Sequence, residues 1–95
     1  MNPKKVVREK TVKLTDLPNI GKSLAKDLEL IGIDIPQKLE GEDPYALYDK
    51  LCKVTGTRHD PCVLDVFMSI TDFMNGGDPK EWWAYTAERK EKYKI

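Results

Sequence analysis

Leu14-Thr15-Asp16-Leu17-Pro18-Asn19-Ile20-Gly21-Lys22-Ser23-Leu24-Ala25-Lys26-Asp27-Leu28 is the stretch on which the fold turns. From Lys22 onward its apolar residues recur at helical spacing. Leu24, Leu28 and Ile31, with Ala25 beside them, line one face, while Lys22, Lys26 and Glu29 fall on the other. A helix over 22–31 follows, closed by Gly32, which suits the left-handed position after a helix. The small Ala25 side chain lets a neighbouring helix come close. Before this helix the chain reverses through Leu17-Pro18-Asn19-Ile20-Gly21, and a shorter helix over 13–17 leads into the reversal.

Outward from this stretch the same helical reading holds, since strand-like alternation is weak and confined to Lys10–Leu14 and Ile31–Ile35. Three Asp-Pro pairs, Asp43-Pro44, Asp60-Pro61 and Asp78-Pro79, each look like a capping carboxylate followed by a proline already set for the first helical position. The third adds Glu81, which completes a capping-box pattern. Gly56 and Asn75-Gly76-Gly77 supply stops. The expected helices are 13–17, 22–31, 36–39, 44–55, 61–74 and 79–90, giving an all-α, compact five- to six-helix domain. In 61–74 Asp65, Ser69 and Asp72, at spacing i, i+4, i+7, form a narrow polar strip along an otherwise largely apolar helix, which is expected at the centre. Trp82 or Trp83 is expected to pack as a lid.

Ninety-five residues suffice for one core, divided here into a basic N-terminal arm, 1–12, and a single domain, 13–95. At 40% hydrophobic and 34% charged residues, the chain is neither a disordered polyelectrolyte nor a membrane protein. The uncharged run Val66–Thr71 is far short of the roughly 20 residues that a membrane span needs. Met1-Asn2-Pro3-Lys4-Lys5 leads into no apolar run of signal-peptide length, so the expected location is cytoplasmic and the two cysteines are expected as reduced thiols. Formal net charge is zero, yet residues 1–13 carry +4 and 80–95 carry +2, which leaves −6 in between. Such a middle offers no long-range attraction for nucleic acid, so any contact with phosphate has to be local.

The Leu-Pro-Asn-Ile-Gly turn and the helix after it resemble a helix-hairpin-helix motif, with Asn19 standing where the first glycine is usual. The resemblance implies a DNA phosphate held by successive backbone amides and a helix N-terminus. It places the DNA-binding residues at Asn19, Ile20, Gly21, Lys22, Ser23 and Lys26, with backbone contact and no sequence specificity. Asparagine tolerates the left-handed turn, but its side chain is expected to crowd the phosphate. Asp16, Asp27 and Glu29 oppose binding by charge. Residues 14–83 as a whole are similar to the bacterial pathogenicity locus family, some members of which carry a mitomycin-resistance label. That similarity rests on the hairpin, Asp43-Pro44, Leu51-Cys52, Thr55-Gly56, the Asp60-to-Phe67 segment and Trp82-Trp83. It implies a fold and no stated biochemical activity.

Cys52, His59 and Cys62, with Asp60, raise a metal reading, but nine residues separate the cysteines where strong zinc signatures place two to four. Both read better as small core residues. Cys62, in a first helical turn where a thiol pKa can fall, is the thiol to test for reactivity. No nucleophile with an evident base is found, so no catalytic residue, cofactor or metal is assigned and the chain is expected not to be an enzyme. Trp82, Trp83, Tyr85 and Tyr93 can stack on bases, although core packing is the plainer reading. The expected function is a small binding module with weak, sequence-tolerant DNA phosphate contact. The alternatives are a protein-interaction adaptor without nucleic-acid binding and, behind it, a thiol-dependent redox or metal protein using Cys62.

Overall fold

Two of the three Asp-Pro pairs start helices as the capping argument requires. The computed structural model describes residues 7–95, so residues 1–6 of the basic arm lie outside the described residues. Asp43 Oδ1 accepts from the Tyr45 amide at 3.2 Å, and Asp60 Oδ1 accepts from the Cys62 amide at 2.9 Å. Pro44 and Pro61 follow in the first turn. These pairs open α2 (Pro44–Thr55) and α3 (Pro61–Met74); α1 spans Lys22–Leu30 and α4 spans Thr86–Tyr93. Single 3-10 turns at Arg8–Lys10, Leu14–Asp16, Pro36–Leu39 and Trp82–Tyr85 are the other helical elements among the described residues, where no strand occurs. The described residues are all-helical, with four α-helices where five to six were expected. The short 13–17 and 36–39 segments close only i to i+3 bonds, as Leu17 N to Leu14 O (3.1 Å) and Glu40 N to Gln37 O (3.2 Å) show.

α3 is the centre. Phe67, Leu64, Ile70 and Phe73 are almost wholly buried among Leu17, Ile20 and Leu28, from the first reversal and α1, and Leu39 and Leu51. α3 touches α2, α4 and the 3-10 turns at Pro36–Leu39 and Trp82–Tyr85. Its C-terminal end is closed from two sides. The Gly77 amide returns to Asp72 O at 2.8 Å, and a Cβ at Gly77 would run into the Asp72 carboxylate, so any larger residue here displaces that side chain. Arg8 then donates from Nε to Phe73 O (2.7 Å) and from Nη2 to Gly77 O (2.6 Å), with its guanidinium 4.9 Å from the Phe73 ring centroid. A cation on the last carbonyls of a helix also meets the negative end of its dipole.

The third Asp-Pro pair does not start a helix. A helix beginning at Pro79 needs the Lys80 carbonyl to accept from Ala84, but that carbonyl takes the Asn19 side-chain amide at 2.8 Å and the Ala84 amide goes to Glu81 O at 3.0 Å. The α-helix therefore begins only at Thr86. Trp82 packs partly on the core as expected of a lid, whereas Trp83 is 60% exposed.

Two of the three residues of the α3 polar strip face protein rather than water, while Asp72 is exposed. Asp65 and Ser69 are buried. Thr86 Oγ1 donates to Asp65 Oδ2 (2.8 Å), Tyr85 Oη to Asp72 Oδ2 (2.7 Å) and Asn19 Nδ2 to Ser69 Oγ (3.1 Å). Arg89 Nε lies 3.5 Å from Asp65 Oδ1, an ion pair too long for a hydrogen bond, so neither of these buried atoms has a hydrogen-bond partner. The C-terminal segment is thus keyed to α3 by polar groups. Burial first, and then the bond to Asp72, pushes the Tyr85 hydroxyl well above the ordinary tyrosine range. No helix among the described residues is long and apolar enough to cross a membrane.

Candidate nucleic-acid interface

The reversal before α1 is built from the inside out. Leu17 and Pro18 are buried, Asn19 takes a left-handed φ of 67°, and Ile20 returns to the core at 1% exposure. Asparagine is among the few side chains that tolerate this conformation. Asp16 Oδ2 accepts from the Val12 and Lys13 amides at 3.0 and 2.8 Å, which fixes the approach to the turn. The Lys13 amide, and after it that of Val12, holds the Asp16 carboxyl below its ordinary range.

Asn19 does not crowd the space over the turn as the sequence reading expected. Its amide is directed inward, to Ser69 Oγ and Lys80 O, and clasps the reversal to α3 and to the extended segment 79–81. Ile20, a core residue by its side chain, offers only backbone to a ligand. What faces outward is Gly21 and the start of α1: Gly21, Lys22, Ser23 and Lys26 are all exposed. Lys22 and Lys26 share a face one turn apart, and neither has an ion-pair partner among the described residues. Glu29 is exposed and Asp27 half-buried on the same helix.

Gly21 stands at the N-cap without a side chain to accept from the first-turn amides, whereas Asp43 and Asp60 fill that role at α2 and α3. The Gly21 backbone, φ −97° and ψ −174°, is open to any residue, and nothing lies within 4 Å of where its Cβ would stand. Neither conformation nor internal packing requires glycine here. The sequence showed Gly21 as a turn residue; its lack of any internal necessity is visible only in three dimensions.

The other candidate residues are dispersed. Cys52 and Cys62 are half-buried, Cys52 Sγ accepting from the His59 amide at 3.4 Å and His59 Nε2 lying 2.9 Å from Thr55 Oγ1. Tyr48 Oη donates to His59 O. The lowered pKa expected for Cys62 is corrected: burial pushes the thiol up, and the capping Asp60 beside it adds to the rise. Among the described residues no three His, Cys, Asp or Glu side chains gather to hold a metal ion. A groove of about 460 Å³ runs along α2 past Tyr45, Tyr48, Cys52 and Arg58 to Ile95, with Tyr45 stacked on Tyr93 at 5.1 Å. On the other flank, Val12 (71% exposed) and Ile35 (44%) line a groove of about 360 Å³ with Leu14 and Ala25.

A family profile described as pathogenicity locus (Cdd1) matches residues 7–91. A mitomycin resistance protein, McrB, of Streptomyces lavendulae is 44% identical over 77 residues, covering 81% of this chain and 73% of its own. No solved structure matches the chain.

Proposed function

This chain belongs to the pathogenicity locus family, and within it we propose that the reversal at Leu17–Gly21 and the first turn of α1 form a helix-hairpin-helix-type contact with a DNA backbone phosphate. The observation that carries the reading is Gly21. A glycine demanded by neither backbone nor packing leaves the first-turn amides open, where a serine or aspartate would close them. Lys22 and Lys26 add charge beside those amides, and Ser23 adds a hydroxyl. The first arm of the motif is only the 3-10 turn Leu14–Asp16, so the donor set is small. The action is binding without catalysis, and it positions a phosphate without reading bases.

Two or three neutralised phosphates give a log-log salt slope of about −2 to −3 and an affinity in the non-specific range of about 10⁻⁴ to 10⁻⁶ M. Anisotropy titration of labelled duplex DNA at low and moderate salt measures both. Lys22→Glu is expected to weaken all sequences alike and to flatten the slope by about one unit. Absence of binding at low salt overturns the proposal. The Streptomyces lavendulae relative is named for mitomycin resistance. We extend that role to this chain, and cells carrying wild-type or Lys22→Glu protein under mitomycin test the extension by survival.

A second reading, protein docking, is favoured by the exposed Val12 and Ile35 in their groove beside α1. Val12→Asp separates the two. It leaves DNA binding unchanged if phosphate contact is the function, and abolishes capture of a partner if docking is.

A further inference from the structure

The 3-10 turn Trp82–Tyr85 turns one face inward and one outward. Residues three apart eclipse in such a turn, and Trp82 and Tyr85 are the pair facing α3: Tyr85 is buried and bonded to Asp72, and Trp82 packs partly on the core. Position 83 therefore lies outward, where packing asks for no aromatic. It nevertheless holds a tryptophan, 60% exposed, the most exposed aromatic side chain among the described residues. The Trp83 ring meets the Trp82 ring edge-on, 5.5 Å between centroids and 82° between planes, so an anchored neighbour braces it.

This braced ring is tied to the proposed phosphate site. Asn19 at the reversal donates to the Lys80 carbonyl at 2.8 Å, and three residues of chain carry Lys80 to Trp83, a reach of at most about 11 Å. Lys80 is exposed on the same segment, its ammonium 5.7 Å from the Tyr85 ring centroid, with Asp78 and Glu81 as the acidic neighbours. Lys22 and Lys26 on α1 and Lys80 on the segment bonded to Asn19 are thus exposed cations, and the exposed Trp83 ring follows three residues after Lys80.

We propose that Trp83 is a stacking platform for an unpaired nucleobase, so that the chain prefers DNA with a single-stranded or unstacked position next to the phosphate held at α1. This rests on the phosphate reading above and names its substrate class. Backbone amides and lysines track a strand without regard to pairing, while a tryptophan face takes any base that is free of its stack. A fully paired duplex offers Trp83 no base, since its π-faces are covered by neighbours.

The test is anisotropy titration at low salt with short oligo-dT, a paired duplex of equal length and the same duplex with one bulged base, using wild type, Trp83→Ala, Trp83→Phe and Lys22→Glu. Wild type is expected to bind oligo-dT and the bulged duplex more tightly than the paired duplex. Trp83→Ala is expected to lose about ten-fold on those two probes and nothing on the paired duplex, with Trp83→Phe restoring most of the loss. Tryptophan fluorescence, quenched by oligo-dT in wild type, loses its quenching in Trp83→Phe while Trp82 still emits. Equal binding of all three probes, or Trp83→Ala weakening all of them alike, overturns the stacking role and leaves the phosphate contact standing. Absence of binding by wild type to every probe overturns both. Circular dichroism of Trp83→Ala is expected to match wild type because the side chain is exposed.

Discussion

Gly21→Ser sets stability and binding against each other. With φ −97° and open space at Cβ, a serine enters without strain. Its hydroxyl can accept from a first-turn amide, which is worth a few tenths of a kcal/mol over glycine at an N-cap. Losing the glycine also restricts the unfolded chain, worth about 0.4–1 kcal/mol where the native φ suits an L-residue. Together the gain is about 1 kcal/mol, or roughly 4–8 °C in Tm for a domain of this size. The same hydroxyl occupies a donor that the phosphate contact needs, so duplex binding is expected to fall at least about ten-fold while the fold becomes tighter. Thermal melting by circular dichroism and anisotropy with labelled duplex, on one preparation, read the two effects. A serine variant that melts higher and binds like wild type refutes the assignment of the open amides to a ligand. One that melts lower refutes the reading of the helix start itself.

Asn19→Gly keeps the left-handed turn but removes the amide bonds to Ser69 and Lys80, and chemical denaturation is expected to show a loss of about 1–2 kcal/mol. Asp65→Ala strands the buried Arg89 guanidinium, for which about 3–5 kcal/mol is expected, and the double variant Asp65→Ala with Arg89→Met should recover much of it. Because Cys62 titrates above an ordinary thiol, its alkylation should reach half-maximal rate at a pH above that of a free cysteine, and Asp60→Asn should bring it down. The sign carries over to the fold: the contribution is present below the unfolded thiol pKa and is lost as pH rises through the raised folded value. Alkylation at neutral pH faster than that of a free thiol would contradict it.

α2 and α3 were legible because every signal for them is local: aspartate, proline, an apolar period and a stop all lie within one segment. Asp78-Pro79 carries the same signal and misleads, because the Lys80 carbonyl is claimed by Asn19, 61 residues away. The strip Asp65, Ser69 and Asp72 was visible as polar, but its partners Asn19, Tyr85, Thr86 and Arg89 come from other parts of the chain. For the candidate site, helical spacing alone placed Lys22 and Lys26 on an exposed face. The role of Asn19 was hidden because a side chain's direction depends on what is packed below it. Trp83 was named beside Trp82 as able to stack, but which of the two faces outward was hidden, since adjacent tryptophans look alike until the pitch of the turn turns one inward and the other outward.

The Arg8 bonds to Phe73 O and Gly77 O join residues 65 and 69 positions apart in a chain of 95. Closing so long a loop costs entropy that two hydrogen bonds at one end repay only after α3 and its surroundings are in place. Such contacts belong to the downhill side of the folding barrier. Replacing Arg8 by alanine should then leave the refolding arm of a chevron plot almost unmoved and raise the unfolding arm by nearly the whole loss in stability, a low φ-value. By that measure Arg8 governs how long the native state lasts rather than how quickly it forms.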